Sequence, residues 1–333
     1  MLLFPSIRQS CAIQQLPFPI DSHFRPLEIC PQNGESRKSI RRFVCAIAFV
    51  LLALQPSHSY ATTPTYDAIY VFGDSYCDVG NIFAVTSAAG QPTPPSPPYF
   101  HGRFSNGPIW VEHIASSMGL PMVASQLGGT DYAVGGAEVT APVVTAGGTI
   151  PSVPQQVLLY LSQHGGKADP KALYILQGGG NDIINATGGS PQSLGAQIAL
   201  GIANSELILR LAGAKNFLIP NIVDVSLLPA GRANPNFARQ ASIATNTSLN
   251  QLLAIEQLLQ GIRIRRIDVF SLLQSVASDA THYGFTDIVN PCINPITGTV
   301  CADPDHTLFW DTFHPTEFGH AFFAVITEAA LSQ

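Results

Sequence analysis

Two short stretches carry residue types that could together perform nucleophilic catalysis: Phe72-Gly73-Asp74-Ser75 and, near the far end of the chain, Asp311-Thr312-Phe313-His314-Pro315. A serine hydroxyl is a weak nucleophile unless a base takes its proton as it attacks. An imidazole supplies that base. An aspartate three residues earlier can turn back to accept a hydrogen bond from one ring nitrogen, leaving the other nitrogen for the serine. Of nine histidines, His314 is the one singled out by this local carboxylate, while His306 and His320 read as surface or packing residues. Pro315 disfavours helix at the preceding residue and so keeps His314 outside the final helix. Each stretch alone has a plainer meaning. A lone Gly-Asp-Ser is an ordinary turn, and an isolated Asp-x-x-His is more often a turn-and-cap feature than a catalytic pair. The Gly-x-Ser-x-Gly elbow is absent, because Cys77 stands where its last glycine should be.

Acyl chemistry at a serine also needs donors aimed at the developing oxyanion. Two glycine-rich stretches could supply them: Asp131-Tyr-Ala-Val-Gly135-Gly136-Ala137 and Gly179-Gly180-Asn181-Asp182. A glycine N–H can approach a substrate closely, and the Asn181 amide is a neutral donor. Alone, both stretches read as turns that end strands. No Gly-x-Gly-x-x-Gly fingerprint marks a dinucleotide site. No paired Cys-x-x-Cys or matching histidine spacing marks a metal site.

The elements that must position these residues can be read from the apolar runs. Buried strands are expected at Asp67–Phe72, Ala172–Gln177, Lys215–Ile219 and Ile264–Phe270, with a further short strand around Asp131–Val134. Between them lie helical stretches at Pro108–Met118, Val153–Gln163, Pro191–Leu211, Asn236–Leu259 and Pro315–Leu331, with Pro315 suited to the first turn of the last. Strands alternating with helices imply an α/β fold, a parallel sheet covered on both faces. A serine at a strand's carboxyl end then sits where open α/β sheets bind ligands. The proline-rich segment Gln91–Pro98 reads as a rigid surface loop within one domain.

Composition bounds the remainder. Of 333 residues, 46% are hydrophobic and 11% charged, which suits a chain with a sizeable core. Arg37, Lys38, Arg41 and Arg42 precede the apolar run Phe43–Leu54 and the small residues Ser59 and Ala61. The run is shorter than the ~20 residues a bilayer span needs. It therefore reads as a signal peptide at 37–61, cleaved after Ala61, with an unassigned leader or over-long gene start at 1–36 and the functional domain at 62–333. The expected location is outside the cell or in the periplasm. Beyond Ala61 stand ten basic and nineteen acidic side chains, an excess of negative charge that argues against nucleic acid as a partner. Cys77, Cys292 and Cys301 remain in that part, and Cys292 and Cys301 could close a small disulfide in an oxidising compartment or stay reduced.

Taken in order, Gly73-Asp74-Ser75, Gly135-Gly136, Gly179-Gly180-Asn181-Asp182 and Asp311-x-x-His314-Pro315 resemble the four blocks of the GDSL, or SGNH, hydrolase family. Asp78-x-Gly80-Asn81, Gly102-Arg103-Phe104-Ser105-Asn106-Gly107-Pro108 and Pro220-Asn221-Ile-Val-Asp224 extend the likeness over roughly Tyr66–Leu331. They are similar to the long plant lipases and the bacterial phospholipase/lecithinase-like branch. The resemblance implies a three-layer α/β/α sandwich of about five parallel strands, flavodoxin-like in outline. It implies Ser75 as nucleophile, His314 as base and Asp311 as its orienting partner. The implied oxyanion donors are the Ser75 N–H, Asn181 and one of Gly135 and Gly136, with Gly136 preferred. Cys77 departs from the serine common at that place. No cofactor and no metal are implied. The implied substrate is a small-molecule acyl ester or lipid, met by transient contact with a membrane surface. A carbohydrate acetylesterase on the same site and a non-catalytic binding protein of the same fold are the alternatives.

Overall fold

The computed structural model describes residues 66–332, apart from Gln257 and Leu259. The leader at 1–36 and the signal segment at 37–61 lie outside the described residues. β1 (Ile69–Phe72) leads through Ser75 to α1 (Asn81–Ala88) and α2 (Trp110–Ser117). A small hairpin, β2 (Val143–Thr145) and β3 (Gly148–Ile150), precedes α3 (Val153–Gln163), β4 (Leu173–Leu176), the short α4 (Gly180–Ile184) and α5 (Pro191–Leu211). Next come β5 (Asn216–Pro220), α6 (Pro235–Glu256), β6 (Arg263–Ile267) and α7 (Val269–Ser278). β7 (Asp287–Pro291), β8 (Thr307–Phe309) and α8 (Glu317–Leu331) follow.

Strands β1, β4, β5 and β6 form the central sheet in the order β1-β4-β5-β6, every pair parallel. β4 and β5 are buried along their whole length. Side chains alternate across the sheet with a period of two. Phe72, Tyr174, Leu176, Phe217 and Ile219 enter one core, against α3, α5 and α6. Ile69, Val71, Leu173, Ile175 and Leu218 enter the other, against α2 and α8. Helices on both faces of a parallel sheet complete the three layers expected from the alternating pattern.

Four strands, not about five, make the sheet. The expected strand at Asp131–Val134 is too brief to count in the sheet, but it runs parallel along the edge of β1, with the bridge Val71 to Asp131 and bonds from the Val71 N–H to the Thr130 carbonyl, the Tyr132 N–H to the Val71 carbonyl and the Val134 N–H to the Gly73 carbonyl. Side chains hold other groups of its backbone. Asp131 accepts from the Ala133 N–H, and the Asn81 amide donates to the carbonyls of Asp131 and Ala133. Other boundaries shift for local reasons. Ile264–Phe270 is not one strand, because the Asp268 carboxylate caps a helix by accepting from the Ser271 N–H, which starts α7. Pro315 lies outside the last helix. Thr316 caps it through the Gly319 N–H, and Pro315 instead bridges back to Phe309. The segment 91–98 is largely exposed loop. α1, α4, α7, the β2–β3 hairpin and the β7–β8 pair were not expected from the sequence. α1 is weakly periodic, α4, the hairpin and the strand pair are short, and the apolar start of α7 runs on from β6. Among the described residues no helix is long and apolar enough to cross a membrane.

Candidate active site

Ser75 sits in the turn that leaves the carboxyl end of β1. The Gln156 side chain brackets Gly73, accepting from its N–H and donating to its C=O at 2.9 Å each. A Cβ at Gly73 would lie 2.9 Å from the Gln177 amide oxygen and 3.1 Å from the Gln177 carbonyl, a tight approach that glycine avoids. Asp74 closes the turn, its carboxylate accepting from the Tyr76 N–H and its carbonyl from the N–H groups of Cys77 and Asp78.

His314 arrives from the other end of the chain. Its Nε2 lies 2.7 Å from Ser75 Oγ, and its Nδ1 lies 2.8 and 2.7 Å from the two Asp311 oxygens. Asp311 also accepts from the backbone N–H groups of Phe313 and His314 and from the Tyr99 hydroxyl. Local sequence spacing did not suffice to select this histidine. Asp303 and His306 repeat the same spacing and also pair, at 2.8 Å, but on the exposed surface. The expectation that His314 alone has such a carboxylate is therefore corrected.

Several residues that sequence reasoning left without a role hold the two turns together. The Tyr76 hydroxyl donates to the Phe313 carbonyl at 2.7 Å. The Phe104 ring lies 4.9 Å from the imidazole, centroid to centroid. Ser105 donates to the Pro315 carbonyl, and Asn106 accepts from the Glu317 N–H at the start of α8. The Gly102–Pro108 stretch noted in the sequence is thus a brace for the histidine turn.

The glycine-rich stretches converge on the same place. Ser75, Gly136, Asn181 and His314 line one open cleft of about 460 Å³. Gly135 and Gly136 are separated by their hydrogen bonding. The Gly135 N–H donates to the buried Asp78 carboxylate at 2.8 Å, whereas the Gly136 and Ser75 N–H groups have no acceptor among the described residues. Gly136 has φ +82°, which side-chain-bearing residues avoid, while a Cβ at Gly135 would lie 2.5 Å from the Phe104 ring. Asn181 donates one amide hydrogen to the Ala137 carbonyl, leaving the other uncommitted. Asp182 anchors the same loop to α4 by accepting from the N–H groups of Val139 and Thr140. Asp78 therefore acts here as a positioning residue, which the sequence signalled only through the motif Asp78-x-Gly80-Asn81. Cys292 and Cys301 are bonded, and Ile293, Asn294, Pro295 and Gly298 of the loop they close wall one side of the cleft. Cys77 is free and buried. The arrangement is chemically able to move a proton from an alcohol to an imidazole beside two backbone N–H groups and one amide.

The sequence model of the family described as GDSL-like Lipase/Acylhydrolase matches residues 69–325. A thermolabile hemolysin of Vibrio parahaemolyticus is 28% identical, over 77% of this chain and 62% of its own length, so the chain spans less than two thirds of that relative. A phosphatidylcholine-sterol acyltransferase of Aeromonas hydrophila is 25% identical, over 84% of this chain and 93% of its own. A GDSL esterase/lipase of Arabidopsis thaliana is 27% identical, over 75% and 82%.

Burial sets the electrostatics. It pushes the Asp311 carboxyl up, but the His314 charge and the hydrogen bonds from His314, Phe313 and Tyr99 outweigh it and hold the group below the usual range. His320 is buried and pushed down to about 3, chiefly by loss of solvent, so it packs as a neutral ring. Asp74 goes the other way. Burial raises it to about 6 against the pull of the Tyr76 N–H, His314 and Gln177. A carboxyl that ionises less readily in the folded chain weakens the fold as pH rises between the unfolded value, about 3.9, and the folded one. Asp74→Asn should therefore stabilise the protein more at pH 8 than at pH 4, by up to about 2–3 kcal/mol. Thermal unfolding of both proteins at the two pH values checks this, and an equal difference at both would contradict it.

Proposed function

The chain belongs to the GDSL-like lipase/acylhydrolase family, and from that premise we propose that it is a carboxylic ester hydrolase in which Ser75 is the nucleophile, His314 the general base and Asp311 the group that orients the imidazole. The observation that carries this reading is the 2.7 Å hydrogen bond from Ser75 Oγ to His314 Nε2, with Asp311 on the opposite ring nitrogen. The imidazole takes the hydroxyl proton as Oγ bonds to the ester carbonyl carbon. The resulting oxyanion is received by the Ser75 N–H, the Gly136 N–H and the Asn181 amide, donors fixed before the charge develops. The imidazolium then gives its proton to the leaving alkoxide, and the alcohol departs. Water, deprotonated by His314, attacks the acyl-enzyme and releases the acid and a free Ser75.

The proposed substrate is an acyl ester of lipid or phospholipid type, collected in brief contact with a lipid surface. The names of the similar proteins support this class: one is called a lipase and another is named for phosphatidylcholine. We further propose that the protein is exported and cut after Ala61. The basic cluster and short apolar run before that residue support it, and the Cys292–Cys301 bond suits an oxidising compartment.

Three outcomes test these assignments. Ser75→Ala should abolish hydrolysis of p-nitrophenyl esters, and retained turnover would remove Ser75 from the reaction. Asn181→Ala should lower kcat by ~10²–10³ with little change in KM, the signature of a lost oxyanion donor. A raised KM at unchanged kcat would make Asn181 a recognition residue. Amino-terminal sequencing of the exported protein should begin at Thr62, and a start elsewhere would refute the cleavage site.

A further inference from the structure

Five of the eight residues from Gln91 to Pro98 are proline, and the residue that follows them, Tyr99, reaches into the site. Its hydroxyl donates to Asp311 Oδ2 at 2.8 Å. The two oxygens of that carboxylate are served differently. Oδ1 accepts from the backbone N–H groups of Phe313 and His314, which belong to its own turn. Oδ2, 2.7 Å from His314 Nδ1, has only Tyr99 as a further donor among the described residues. Loss of water and then the Asp311 charge push the phenol well above its ordinary range, so the hydroxyl keeps its proton and stays a donor. The Tyr99 ring packs edge-on against Phe104 and Trp310, at centroid distances of 6.3 and 6.2 Å. Proline fixes φ and has no N–H, so a proline-rich arm is held by stiffness more than by backbone bonds. Its ties include the Thr93 N–H to Thr86 Oγ1 of α1, at 2.9 Å, and the Tyr99 N–H to the Pro95 carbonyl, at 3.1 Å.

We propose that Tyr99 is a positioning residue of the active site: its hydroxyl fixes the Asp311 oxygen that faces His314 and takes up part of that carboxylate's charge, while the proline-rich arm holds the hydroxyl there. The inference rests on His314 acting as the base for Ser75. A donor on the carboxylate disperses its charge, and this counts most while the imidazole is neutral and no opposite charge balances Asp311. Tyr99 thus favours the neutral imidazole, the form that accepts the serine proton. Without the hydroxyl, Oδ2 is free to turn and Asp311 pulls harder on a charged imidazole. Asp74, Tyr76 and His320 also face His314, but none of them is bonded to Tyr99.

Tyr99→Phe keeps the ring and removes the hydroxyl alone. The acid limb of its kcat/KM profile on p-nitrophenyl acetate should move up by about 0.5 pH unit, about threefold in proton affinity. Its kcat should fall about tenfold with little change in KM. A slackened Asp311 with no effect on charge would move the limb down instead, because the imidazolium would lose its partner. That sign would overturn the proposal, as would a variant that matches the wild-type protein. Tyr76→Phe is the control for a lost tyrosine bond. Its hydroxyl serves a neutral carbonyl, so its acid limb should stay at the wild-type position whatever its kcat. Equal shifts in the two variants would overturn the charge argument. Pro95→Gly frees the arm and leaves the hydroxyl intact. It should lower kcat about two- to fivefold and add nothing in the Tyr99→Phe background. A full additional loss there would separate the arm from Tyr99. Should Tyr99→Phe fail to fold, Pro95→Gly alone should still raise the acid limb, and an unmoved limb would overturn the proposal. Turnover that survives Ser75→Ala would instead remove the nucleophile, a failure distinct from any of these.

Discussion

The 2.7 Å hydrogen bond between Ser75 Oγ and His314 Nε2 joins two turns that are 239 positions apart, and no local preference can make it. It exists because β1 delivers one turn to the carboxyl edge of the sheet while the β8–α8 connection returns the other to the same edge. Around that contact the structure spends several independent bonds on alignment. Tyr76 ties the serine turn to the Phe313 carbonyl, and Ser105 and Asn106 tie the loop before α2 to Pro315 and Glu317. Phe104 lies against the imidazole. Rotation of either turn by a fraction of an ångström would stretch a bond whose useful range is only a few tenths of an ångström wide.

Buried carboxylates add to the backbone bonds that tie the 130–134 segment to this edge of β1. Asp78 holds the Gly135 N–H, Asp131 holds the Val79 and Ala133 N–H groups, and Asp182 holds Val139 and Thr140. Side-chain anchors commit backbone donors selectively, so Gly135 is occupied while Gly136 is left without an acceptor. Loss of water raises the carboxyls of both Asp78 and Asp131, so the arrangement trades stability for placement of the loop.

The site also divides space by chemistry. One side of Ser75 faces a broad cleft walled by a disulfide-closed loop, and the other a narrow apolar passage between α7 and α8. An ester has one polar and one apolar half, and an asymmetric site can distinguish them only if its two spaces differ in width and in free hydrogen-bonding groups. The two spaces here differ in width.

Residue type and order determined a good deal. The apolar runs that became β1, β4 and β5 are set by burial on both faces, which leaves a signature independent of distant contacts. The four catalytic-type blocks were legible because glycine, serine, asparagine and histidine have few substitutes in their roles. Tertiary structure alone decided the remainder. Asp303–His306 and Asp311–His314 are the same local motif, and only the approach of β1 makes one of them face a serine. Gly135 and Gly136 are the same residue, and only Asp78 distinguishes their N–H groups. The segment expected as a strand at Asp131 runs only briefly along β1 and is held there also by Asn81, fifty positions away, and the bonding of Cys292 to Cys301 depended on where the loop between them folded back. Local pattern records what a residue can do; which partner it meets is set by packing, and packing is a property of the whole chain.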